Sequence, residues 1–361
     1  MSFPSDTGSE RGRGGGGPSS GPPSPPGGTG PGWGAGAPWL MIAISGGALS
    51  AVFLSGMSAP SIFSFVMFFL VPAPLFVVGL AFGWMAAGIA AFSALALLAA
   101  MLGPAAALMH ALLAGAPVTW LTHLAARRRP AAGSMEGEPV DEDGMEWYPE
   151  GRLLLWMAGL SAGAVIISLL TQGTTLEDIR ASLMAMAGEA MRAMQMDGEL
   201  TDEQKKRFLE TFATLAPLSA AVLWEVALFI SFRLSVWLGW KFGLSRRPPA
   251  DFARLAFPQK ALLGLAGVSL VALAPGLIGH FGQIAALAFM AAFAILGLSV
   301  IHAWVRGKPW EPAALGVTYS MLIALTGLAG PALLLLGLAE AGFGVREAML
   351  RGGGGGPPAK T

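Results

Sequence analysis

The chain has 361 residues, of which 54% are hydrophobic and only 12% charged, and its mean hydropathy is +0.62. A soluble domain carries about a quarter charged residues, so this composition excludes a water-soluble globule. Lys plus Arg equals Asp plus Glu at 22 each, which leaves no electrostatic footprint for nucleic acid, and the absence of cysteine excludes disulfides, zinc–thiolate sites, iron–sulfur clusters and thiol catalysis.

Residues 1–36 are Gly, Pro and Ser with scattered charge. Such a tail cannot bury enough apolar surface to offset its ordering entropy, so it reads as disordered, as does a short tail over 351–361. The first apolar run begins only near Pro38, too late for an ordinary cleavable signal peptide, so it reads as a retained span. A bilayer's hydrocarbon core is about 30 Å thick and takes roughly 20 apolar helical residues to cross. Nine stretches meet that requirement, near 38–56, 61–82, 83–103, 104–125, 153–172, 213–240, 261–279, 281–305 and 312–338. They predict an all-α polytopic transmembrane bundle over 37–350.

Proline marks many of the boundaries, at Pro60, Pro104, Pro149, Pro217, Pro258 and Pro312, because it suits a helix's first turn and disfavours its middle. Two polar stretches divide the spans. The first, 126–150, opens on Arg127, Arg128 and Arg129 and turns acidic from Glu136 to Asp143. The second, 173–212, reads as an extramembrane helical hairpin, with capping boxes at Thr174/Glu177 and Thr201/Gln204 and a turn at Asp197-Gly198. With the N-terminus inside, the short cytoplasmic loops gather Arg127, Arg128, Arg129, Arg152, Lys241, Arg246, Arg247, Arg254, Lys260, Arg306 and Lys308. Heavy use of Ala, Gly, Pro and Arg fits a GC-rich bacterial genome, hence a bacterial inner membrane.

Candidate functional residues lie inside the spans. Pro72 and Pro74 interrupt the second span, and freed backbone at membrane depth must face protein or a wet cavity. Glu225 and Arg233 are ionisable groups at bilayer depth, each needing a partner. They stand eight residues apart, about 12 Å along a helix, too far to pair with each other. His110, His302 and Tyr319 also fall within spans, either as hydrogen-bonded packing residues or as ligand contacts. No histidine stands at metal-ligand spacing, and the loop methionines Met184, Met186, Met191, Met194 and Met196 read as an apolar stripe rather than a copper site. Ala43, Gly47, Ala51 and Ser55 put small residues at every fourth position of the first span. Such a ladder packs a neighbour within the bundle or docks a partner subunit.

Several segments resemble one family. Pro72-Ala73-Pro74-Leu75, Gly79 to Gly83, Ala116-Pro117, Trp147 to Arg152, and Arg246 to Pro249 leading to Phe257-Pro258 are similar to the YybS-like membrane proteins, a domain of unknown function. So is Gly297 to Trp304, with Tyr319 and Gly337 to Glu340 following, and the likeness is to the alphaproteobacterial branch. More distantly, the chain is similar to the substrate-binding S components of energy-coupling factor transporters. That resemblance implies a cavity near Pro72–Pro74, a ligand of unknown identity, and a coupling partner docked on the first span. A cell-envelope scaffold that organises other membrane proteins is the alternative reading. No catalytic residue, metal or cofactor is expected, and the expected partner common to both readings is the lipid bilayer.

Overall fold

The computed structural model describes residues 38–58, 61–130, 144–193, 201–245 and 247–352. Both polar tails (1–37 and 353–361), Pro60, the acidic run from Glu136 to Asp143, Met194, Met196, the Asp197-Gly198 turn and Arg246 lie outside the described residues.

An apolar segment in a bilayer must satisfy its backbone internally, so these stretches fold as helices. They are α1 (Pro38–Ser55), α2 (Ile62–Leu70), α3 (Ala73–Phe82), α4 (Trp84–Met101), α5 (Pro104–His110), α6 (Ala116–Ala125) and α7 (Glu150–Leu170). After them come α8 (Leu176–Ala193), α9 (Asp202–Lys241), α10 (Ala261–Val271), α11 (Gly276–Val305), α12 (Glu311–Ala324), α13 (Thr326–Phe343) and α14 (Val345–Gly352). Two short antiparallel strands, β1 (Arg128–Pro130) and β2 (Met145–Trp147), join α6 to α7, with Arg128 opposite Trp147.

Seven helical stretches among the described residues are long and apolar enough to cross a membrane, with α2–α3 and α5–α6 each counting as one. Seven of the nine expected spans coincide with them. The expected span 261–279 does not, because α10 is 11 residues and the chain turns before Gly276, whose φ of 70° starts α11. Eleven residues rise about 16 Å, roughly half the hydrocarbon thickness. The expected span 312–338 is two helices, broken at Leu325 where φ is −128° and ψ 44°. Pro217 marks no boundary either; it lies inside the 40-residue α9.

Of the expected hairpin, the two arms are described: α8 packs against α9. The Thr201/Gln204 capping box caps α9 as expected. At the start of α8 the cap is one residue later than expected: the Asp178 N–H donates to Thr175 Oγ1 (3.1 Å).

Small residues set the close helix pairs. Ala43, Gly47 and Ala51 are buried against α4, where a methyl at Gly47 would overlap the Ala90 carbonyl and Ser93 Oγ. Ser55 is half-buried and returns its hydroxyl to Ala51 O (2.9 Å). The ladder expected to dock a partner is therefore covered within the chain, since four-residue spacing lets α4 approach closely. Gly47→Leu should lower the thermal midpoint in detergent by several degrees, an overpacking cost of about 1–3 kcal/mol. An unchanged midpoint would show that α1 and α4 do not hold each other.

At the far end of the chain α13 crosses α11 at Gly297 and Gly337, where a methyl on either would overlap a carbonyl of the other helix. The irregular segment 247–260 threads between α7 and α11. Ala256 O lies against Gly151, and Phe257 meets Phe293 edge-on at 5.1 Å.

Candidate functional site: polar groups inside the bundle

The proline break lies inside the bundle. Val71, Pro72, Ala73, Pro74, Leu75 and Phe76 are all buried. Proline supplies no N–H, so the helical ladder lapses in this turn and its carbonyls need other donors. Three serines from two other helices donate to carbonyls around it, to two at the end of α2 and to a third, Ala73 O, that opens the α3 ladder. Ser231 Oγ donates to Phe69 O (2.5 Å), Ser235 Oγ to Ala73 O (3.1 Å) and Ser50 Oγ to Val71 O (2.7 Å). His110 joins this group through Nε2, 2.8 Å from Ser50 Oγ. Because the Ser50 hydroxyl proton goes to a carbonyl, Nε2–H must be the donor to Ser50, which assigns the Nε2 tautomer. His110 Nδ1 is then an acceptor, buried and without a partner among the described residues.

The same logic recurs one turn on. Pro117 cannot donate to the Leu113 carbonyl, and Trp224 Nε1 takes that place at 2.7 Å. Here the backbone opens into a π turn over Ala111–Gly115.

Glu225 stands next to Trp224 on α9. It is fully buried, and neither carboxylate oxygen has a hydrogen-bond partner among the described residues. Arg233, two turns along, has one: Nη1 lies 2.6 Å from Glu150 Oε2, and Nη2 donates to Ala250 O (3.2 Å). Glu150 is itself buried at the start of α7. The Phe252 ring covers the guanidinium at 5.3 Å and meets His302 edge-on at 5.0 Å. His302 Nε2 is 2.9 Å from the Tyr319 hydroxyl.

The structure thus sorts the sequence candidates into three places. Pro72, Pro74 and His110 belong to the serine-bridged break; Arg233, His302 and Tyr319 meet around Phe252; Glu225 stands apart from both. Ala43, Gly47, Ala51 and Ser55 are packing residues. Met191 is buried on α8, and no group of three metal-ligating side chains occurs among the described residues.

Besides Glu150, two further charged residues of the site are not among the sequence candidates. Arg247 is 1% exposed and donates to Ala125 O and Tyr148 O, each at 2.9 Å. It ties the ends of α6 and β2 to the segment after α9. Asp251 receives both Nη atoms of Arg306 at 2.5 and 2.7 Å, and this pairing holds its carboxyl below the usual carboxylate range. Nothing in its local sequence separates Asp251 from an ordinary loop charge. Only Arg247 beside Pro248-Pro249, where the backbone cannot be regular, gave a signal.

These features define an all-α, polytopic integral membrane protein whose bundle interior carries hydrogen-bonded polar groups. The chain belongs to the family described as "Predicted membrane protein (DUF2232)", whose model matches residues 48–340. No curated protein and no solved structure matches it.

Proposed function

We propose that this protein binds a small molecule within the membrane as a transport-associated, non-enzymatic subunit, in the manner of the S components it resembles. Glu225 carries the reading. A carboxyl buried at bilayer depth loses its hydration, and without a partner it regains nothing. A ligand with a hydrogen-bond donor or a positive charge supplies what the protein does not.

The same reading places the protein in a bacterial inner membrane, in the YybS-like branch, with the N-terminus in the cytoplasm. The Arg233–Glu150 and Arg306–Asp251 pairs and the Trp84–His123 contact support that orientation. They gather the helix ends that carry Arg127, Arg152, Lys241 and Lys308 on one side, which the positive-inside rule assigns to the cytoplasm. Arg346 of α14 reaches Ser299 Oγ (3.1 Å) and Leu255 O (3.0 Å), so α14 is anchored near the same end.

Mass spectrometry of small molecules that co-purify in mild detergent tests the proposal. The unaltered protein should retain one stoichiometric metabolite with a donor or cationic group. Glu225→Gln should retain at least about tenfold less, the scale of a hydrogen bond to a charged group. Equal retention by the variant, or no metabolite at all, overturns the assignment. Recovery of envelope-assembly proteins instead supports the scaffold reading. One observation favours that alternative: α12 buries none of its described residues and leaves Val317 and Ile323 60% and 83% exposed.

A further inference from the structure

A second feature of the bundle lies away from these polar groups. Between α4 and the α5–α6 segment runs a groove of ≈ 550 Å³. Small residues let the helices meet beneath it. A methyl at Gly115 would come within 3.1 Å of Ala91 Cβ, and one at Gly88 within 3.8 Å of Thr119 Cγ2. Trp84, Phe92 and Trp120 stand at its sides, 45%, 70% and 40% exposed. The Thr119 hydroxyl is spent on Gly115 O (2.7 Å), so the groove offers an apolar surface.

Its length and its ends are informative. From Trp84 to Leu95 on α4 it covers twelve residues, a rise of about 16 Å, which is close to half the hydrocarbon thickness. The groove therefore begins at one membrane face and stops near the midplane. At the face end His123 is flanked by the Trp84 and Trp120 rings at 5.5 and 5.7 Å, and Trp156 meets Trp120 at 5.6 Å. Tryptophans grouped this way mark the headgroup level. Arg127, exposed, sits one turn beyond with Nη2 at 3.0 Å from His123 Nε2.

We propose that this groove holds one acyl chain of an anionic phospholipid from the leaflet at the Arg127 end, with the lipid phosphate on the Arg127 guanidinium. An apolar trough one leaflet deep accepts an acyl chain and ends where the chain ends. A cation at its mouth complements a phosphate that carries net negative charge.

Native mass spectrometry of the full chain in mild detergent, titrated with phosphatidylglycerol or phosphatidylcholine of identical chains, tests the site. The unaltered protein should retain phosphatidylglycerol roughly fivefold more than phosphatidylcholine, the effect of about one interfacial cation. Arg127→Gln, at an exposed position, should bind both lipids equally at the lower level. Gly88→Leu fills the trough and should retain neither, with its melting midpoint confirming the fold. No headgroup preference in the unaltered protein, a preference that survives Arg127→Gln, or full retention by folded Gly88→Leu would each overturn the proposal. If Gly88→Leu does not fold, the Arg127 comparison decides alone.

Discussion

Replacing Gly297 by leucine is expected to force α13 off α11 and destabilise the protein by about 3 kcal/mol or more, at the upper end of overpacking costs. The two helices touch backbone to backbone there. The position a methyl would take at Gly297 is occupied by the Leu333 carbonyl, and the equivalent position at Gly337 by the Phe293 carbonyl. A carbonyl held in a helix cannot rotate aside as a side chain can. Relief must come from moving one whole helix, with loss of the contacts that bury Phe293, Leu296 and Val300. Thermal unfolding in detergent should show a midpoint lower by several degrees for Gly297→Leu and for Gly337→Leu. The double variant should fall short of the sum, since one separation relieves both clashes. Additive losses would mean that the two glycines act at separate contacts.

Arg247→Met should cost about 3 kcal/mol, although it replaces a charge by an apolar side chain of similar length. The guanidinium is the donor for two carbonyls, at Ala125 and Tyr148, that have left the helix and strand ladders beside them. Removing it leaves both acceptors buried, and an orphaned buried polar group costs about 1–3 kcal/mol. Arg247→Lys should recover only part of the loss, because an ammonium lacks the planar fork that spans two acceptors. Limited proteolysis between residues 126 and 150 should be faster in Arg247→Met. Cleavage and melting equal to the unaltered protein would show that the arginine is dispensable.

Membrane insertion and helical class were legible because they rest on long apolar runs, which need no tertiary information. The capping box at Thr201 was legible for a similar reason: its two residues are neighbours in sequence. The break at Leu325 was not, since leucine is a good helix former and the Gly327, Gly330 and Pro331 that weaken a helix all come after it. Nor was the partner of Arg233. Glu150 lies 83 residues earlier, at a helix start that reads as loop charge. His302 and Tyr319 were each singled out, but their hydrogen bond depends on how α12 folds back beside α11, which periodicity does not encode. The small-residue ladder of α1 correctly announced a close approach. It could not say whose helix approaches, because Ala and Gly faces are complementary to one another throughout this chain. Arg247 is the hardest to read: in sequence it is one of several basic residues in a loop, and its partners at Ala125 and Tyr148 lie about a hundred or more residues earlier.

The serines that bridge the proline break have a consequence for biosynthesis. The N-terminal third of the chain carries the break and can satisfy Val71 O from its own Ser50. The donors for Phe69 O and Ala73 O, Ser231 and Ser235, lie 162 residues further on. A ribosome releases the chain from its N-terminus, so α1 to α6 wait through the synthesis of α7, α8 and most of α9 with the Phe69 carbonyl lacking its serine donor. Until α9 arrives, that early subassembly must keep the break hydrated or chaperoned, and its final packing is a late event timed by a helix that has not yet been made.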